Sequence, residues 1–103
     1  LSFKGQNVDL TLAVEEDLAE MWRYSFDRWG IKKADSYFDN LVECCEKIGV
    51  GGARSKTIEE LPLGVEVMRC QEHYIFFMPD DRSIILAILH GSMDMLHHVK
   101  DRL

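Results

Sequence analysis

Two apolar runs stand close together in the last third of this chain. They are His73–Met78 (HYIFFM) and residues 84–89 (IILAIL), split by the turn Pro79-Asp80-Asp81-Arg82-Ser83. Each is strand-length, and neither alternates with polar residues as a half-exposed strand does. The pair is therefore expected to form the central hairpin of a small sheet, apolar on both faces. Residues 65–70, joined to the first run by the polar turn Gln71-Glu72, supply a third strand of the same meander. After the second run comes His90-Gly91-Ser92-Met93-Asp94, and residues 92–103 have helical period, with Met93, Leu96, Val99 and Leu103 on one face.

The first half reads as a short strand and two helices. Val8, Leu10 and Leu12 alternate with Asn7, Asp9 and Thr11. Thr11 is placed to cap a helix running to about Trp29, whose apolar residues Leu18, Met21, Trp22, Phe26 and Trp29 recur at i, i+3 and i+4. Gly30 ends it. A second helix follows at once, with Ile31, Ala34, Phe38, Leu41, Cys45 and Ile48 on one stripe. Two amphipathic helices with so short a joint must lie antiparallel, stripe to stripe. Gly49, Gly51 and Gly52 open a flexible stretch, and Thr57-x-x-Glu60 fits a capping box, which predicts one helical turn over 57–61 before Pro62. The order β-α-α-(turn)-β-β-β-α predicts an α+β layer fold: an N-terminal strand, a helical hairpin packed on a small antiparallel sheet, and a C-terminal helix. No linker or repeat divides residues 1–103, so a single domain is expected.

Charge and cysteine use narrow the chemistry. The net charge is −6, from 18 acidic and 12 basic residues, which weighs against direct nucleic-acid binding. No apolar run reaches the roughly 20 residues of a membrane helix, and no signal peptide is visible. Three cysteines, two of them the neighbours Cys44 and Cys45, suggest reduced thiols and a cytoplasmic protein. His97-His98, His73 and His90 lack ligand spacing, so neither a metal nor a cofactor is expected. A metal-independent ribonuclease needs a base, an acid and cations for the transition state. Arg54, Lys56, Arg69, Arg82, His73 and His90 are the available groups, too sparse for that set. No catalytic residue is assigned.

The segment Arg69-Cys70-x-x-His73-Tyr74-x-Phe76, with Ala87-Ile88-Leu89-His90-x-x-Met93-Asp94, resembles the C-terminal half of ParE-type toxins, the gyrase-poisoning branch of the ParE/RelE superfamily. Trp22-Arg23-Tyr24, Arg28-Trp29-Gly30 and Ala34…Tyr37 extend the resemblance through the helical hairpin, and the element order is that of the superfamily.

The resemblance implies a non-enzymatic toxin of a type II toxin–antitoxin system, which inhibits DNA gyrase and blocks replication. It further implies neutralisation by a ParD-like antitoxin in a hetero-oligomer. Candidate toxicity residues are Arg69, Arg82, His90, Met93 and Asp94. Candidate antitoxin contacts are Trp22, Phe26, Trp29, Tyr74 and Phe76, with Arg54 and Lys56 meeting antitoxin acids. The second sheet face is expected to be covered in part by the closing helix and for the rest by a partner segment, which leaves an apolar groove in the isolated chain. The alternatives are a RelE-like ribosome-dependent endoribonuclease on the same fold and a degenerate, non-toxic binding module.

Overall fold

The computed structural model describes residues 8–91 and 94–103. The elements run β1 (Val8–Leu10), α1 (Leu12–Trp29), α2 (Ile31–Gly49), β2 (Lys56–Thr57), β3 (Glu66–Cys70), β4 (His73–Met78), β5 (Ser83–His90) and α3 (Met95–Arg102). The sheet order is β1-β5-β4-β3-β2, with β1 parallel to β5 and the other pairs antiparallel.

The helical hairpin forms as its pattern predicts. The Thr11 hydroxyl accepts the Val14 N–H at 3.2 Å, satisfying one of the free donors of the first turn of α1. Gly30 joins the helices at φ 88°, a left-handed conformation that suits glycine, and its N–H closes α1 on the Phe26 carbonyl at 2.9 Å. Val14, Leu18 and Met21 of α1 meet Phe38, Leu41, Cys45 and Ile48 of α2 over one sheet face, which contributes Ile75, Phe77, Ile85 and Ile88. The apolar stripe of α1 leaves the core toward its end: Phe26 and Trp29 are exposed, and so is Ile31 at the start of α2.

A bulge explains how β5 is apolar throughout. Phe76 pairs with Ala87 and Phe77 with Ile85, so Leu86 is the extra residue. The insertion resets the alternation and sends Leu86, Ala87 and Leu89 to the second face while Ile85 and Ile88 stay on the first.

The second face carries the closing helix, as expected, and a further cover that was not expected. It is covered by the chain itself: Leu61 and Val65 from the stretch after β2, and Val99 of α3, pack on Val67, Phe76, Ala87 and Leu89, with Ile58, Met95 and Leu96 at the margin. The stretch read as flexible folds over the sheet because that face is too apolar to leave in water. Thr57 is likewise not a helix cap. It pairs with Glu66 in β2, and residues 58–61 form a turn closed by the Leu61 N–H on the Ile58 carbonyl at 3.1 Å. In α3, Val99 is buried but Leu103 is exposed, and Met93 lies outside the described residues.

The cysteines also differ from expectation. Cys44 of α2 and Cys70 at the end of β3 form a disulfide, with Cα atoms 6.5 Å apart. Adjacent residues of a helix point in different directions, so Cys45 turns into the core, where burial pushes its thiol up to about 12, while Cys44 faces the strand. The partner sits 26 positions away in sequence, where spacing alone gives no signal.

A partly buried ion pair ties the last helix to the sheet edge. β1 covers only the first part of β5, pairing with Ser83, Ile84 and Ile85. Beyond it, Asp17 of α1 and Arg102 of α3 occupy the free edge. Arg102 grips Asp17 through two bonds of 2.7 Å and donates to the Leu86 carbonyl at 3.1 Å, while the Ile88 N–H donates to Asp17 at 3.0 Å. The fork geometry of guanidinium and carboxylate thus takes over the backbone groups of a missing strand.

Candidate binding cleft beside α1

A cleft of about 520 Å³ opens where that edge meets α1. Its helical wall is one stripe, Asp17, Glu20, Met21, Tyr24, Ser25 and Arg28, with Trp29 at the end. The opposite wall is the end of the β4–β5 ladder, with Ile88, Leu89, His90, His73 and Glu72, and Tyr37 from α2. The size is that of a small-molecule or side-chain pocket.

The floor is ordered by a short polar chain. The Tyr37 hydroxyl lies 2.7 Å from His73 Nδ1 and accepts the Glu72 N–H at 3.1 Å. Burial raises the Tyr37 pKa, so the phenol stays protonated. Which of the two groups donates in the Tyr37–His73 bond follows the tautomer of the imidazole. Burial, reinforced by His90, lowers His73 to about 4 against the opposing pull of Asp17 and Glu72, so the ring is neutral at pH 7. His90 is its register partner across the ladder, with ring centroids 5.3 Å apart and edge to face.

The rim is aromatic and held by cations. Tyr24 and Trp29 are 56% and 51% exposed and meet edge to face at 6.3 Å. The Arg28 guanidinium lies over both rings, at 5.2 and 5.6 Å, and Lys33 approaches Trp29 at 5.9 Å. Such contacts keep large exposed rings in place without burying them.

The sequence-derived candidates scatter over this frame. Trp29 lines the cleft. Phe26 is exposed beside it in sequence and stacks on Trp22 at 5.1 Å, while the half-buried Trp22 donates its indole N–H to Asp35 at 2.9 Å. Phe76 is 1% exposed and is a core residue, not a surface contact. Tyr74 is half-buried, with Arg69 over its ring at 5.9 Å, and Arg69 also donates to the Gln71 carbonyl at 3.0 Å. Arg54 and Lys56 are exposed.

The toxicity candidates do not converge. His90 and Arg69 sit at the cleft end of the sheet, whereas Arg82 is at the far end of β5, bound to Asp9 at 2.9 Å and to the Val8 carbonyl at 2.9 Å. That bond lowers the Asp9 pKa. Asp94 caps α3, accepting the His97 N–H at 3.5 Å. Gly91 leaves the sheet where a side chain would be tightly placed, since a Cβ there would stand 3.1 Å from the Tyr74 ring. Its N–H donates to the Glu72 carbonyl at 3.0 Å. Arg28, Tyr24 and the Tyr37–His73 pair were absent from the sequence-derived set. Their only signals were the sequence segments that hold them, because the contacts that unite them span elements.

A helical hairpin across one face of a five-stranded sheet, with a C-terminal helix on the other, places the chain in the α+β layer class. The family model described as "ParE toxin of type II toxin-antitoxin system, parDE" matches residues 8–95. Toxin ParE of Escherichia coli is 31% identical over 96 residues, covering 91% of this chain and 93% of the relative. Toxin ParE1 of Caulobacter vibrioides is 29% identical over 90 residues, covering 87% and 94%. A chain from a solved structure of the chromosomal ParDE TA system from P. aeruginosa superposes with a TM-score of 0.70 at 17% identity, covering 86% of this chain and 98% of that one. The chain belongs to the ParE toxin family of type II toxin–antitoxin systems.

Proposed function

We propose that this toxin acts by binding rather than catalysis, that its target is DNA gyrase, and that a ParD-like antitoxin neutralises it by engaging the aromatic rim of the α1 cleft. The observation that carries the reading is the character of that cleft. Asp17, Glu20 and Glu72 line it, and Arg28, the one guanidinium among the described lining residues, is spread over two rings. Such a surface repels a phosphodiester and offers no cationic cradle for the charge of RNA cleavage. It suits a protein partner: exposed Trp, Tyr and Arg in one cluster are the residues that dominate binding hot spots. Family membership and the likeness to a ParDE structure support the antitoxin as that partner, in a toxin–antitoxin hetero-oligomer. His90 and Arg69, at the same end of the sheet, are retained as toxicity residues.

The test is a paired assay of the purified toxin, measuring supercoiling by gyrase and message cleavage on ribosomes. Accumulation of gyrase-cleaved linear DNA with intact message is expected. Specific message cleavage with normal supercoiling would overturn the reading in favour of a RelE-like endoribonuclease. Inactivity of the folded chain in both would point to a module that only binds its antitoxin.

A further inference from the structure

One face of α2 is devoted to a single turn. Tyr37, Asn40 and Cys44, spaced i, i+3 and i+7, all reach the β3–β4 turn. The Tyr37 carbonyl accepts from Gln71 Nε2 at 3.3 Å, and its hydroxyl accepts the Glu72 N–H at 3.1 Å. Asn40 Nδ2 donates to Gln71 Oε1 at 3.2 Å, and Cys44 is bonded to Cys70. Gln71 itself is left-handed, at φ 58°, so the turn depends on these neighbours to hold its shape. The turn in turn holds the exit of the sheet, because the Glu72 carbonyl accepts the Gly91 N–H at 3.0 Å just before the chain enters α3.

We propose that Cys44 and Cys70 form a reversible thiol–disulfide latch, which sets how firmly the β3–β4 turn, and with it the Gly91 exit toward α3, is held to α2. The geometry suits exchange: Cα atoms 6.5 Å apart lie within the disulfide range. Cys44 is half-buried and reachable by a small thiol or disulfide, whereas Cys70 is buried behind it. Closure proceeds when the Cys44 thiolate attacks glutathione disulfide, forming a mixed disulfide and expelling one glutathione thiolate. The Cys70 thiolate then displaces the second glutathione, so two protein thiols are oxidised, one glutathione disulfide is reduced, and the two protons end on the two glutathiones. Two glutathiones reverse the sequence. Cys45, 1% exposed and turned into the core, stays out of the exchange. A reducing compartment therefore opens the latch and an oxidising one closes it.

The 103-residue chain, equilibrated with excess glutathione disulfide, is unfolded and alkylated with iodoacetamide, then weighed. One adduct, on Cys45, is expected, and three after prior treatment with dithiothreitol. Closing the loop restricts the unfolded chain, so reduction should lower Tm by on the order of 10 °C. Amide exchange at Glu72, His73 and Gly91 should rise at least about tenfold. Cys45→Ser should keep the dithiothreitol response, and the Cys44→Ser/Cys70→Ser double variant should lose it. Three adducts in the glutathione-disulfide sample would overturn the proposal, as would a wild-type Tm and exchange pattern indifferent to reduction. Both readouts use the native chain, so they stand even if the double variant fails to fold.

Discussion

Trp29 is the residue on which the binding reading concentrates. It is half-exposed, lies under two cations, and touches Tyr24 at the cleft rim. Trp29→Ala should leave folding stability within about 1 kcal/mol, because the ring is not core. The same change should weaken antitoxin binding by about 2 kcal/mol, roughly 30-fold, as measured by calorimetric titration. Equal affinity of the two proteins would remove Trp29 from the interface. His73 makes a different prediction. Its pKa is lowered to about 4 in the fold, against an ordinary value of 6.5. Above pH 6.5 the ring is neutral whether folded or unfolded, and its burial costs nothing in proton affinity. As the pH falls from 6.5 toward 4 the unfolded chain takes up the proton first, so stability falls across that window. The Tm should drop between pH 6.5 and 5, above the range where ordinary carboxylates titrate, and His73→Gln should flatten that drop. A wild-type Tm that does not fall would show that the imidazole accepts its proton in place.

The elements show what a linear pattern can and cannot convey. Both helices, the Thr11 cap, the Gly30 joint and the three-stranded meander were legible because their signals are local: a period of 3.6, a side-chain oxygen before a first turn, an apolar run between turns. β2 was not legible, since two residues, Lys56 and Thr57, become a strand only through the partner Val67 and Glu66 provide. Of the cover of the second face, the closing helix was legible from its period, but Leu61 and Ile58 were not, as they show no period and are placed by the surface they meet. The cleft was half legible. Trp29 stood out in the stripe, but the Tyr37–His73 bond spans 36 positions and the Arg102–Asp17 pair 85. That last pair is what holds α3 to the sheet edge. Asp17→Ala should cost about 2–4 kcal/mol in urea unfolding, because it strands a half-buried guanidinium and the Ile88 N–H together. A double-mutant cycle with Arg102→Ala should show strong coupling, whereas a loss below about 0.5 kcal/mol would mean that water replaces the carboxylate.

As a whole the molecule is an acidic toxin whose aromatic surface gathers at one end of a helical hairpin, with Arg28 spread over two of its rings, while Arg82 is paired with Asp9 and Arg102 with Asp17. Under the proposed binding mechanism its effect follows the number of complexes formed. Titrating the toxin against a fixed amount of gyrase separates that behaviour from catalysis. Inhibition of supercoiling should rise with the ratio of toxin to gyrase, should hold constant in time once binding is complete, and should be relieved by an equimolar ParD-like antitoxin. Progressive inactivation by toxin far below the gyrase concentration, or no inhibition at any ratio from a folded toxin, would contradict it.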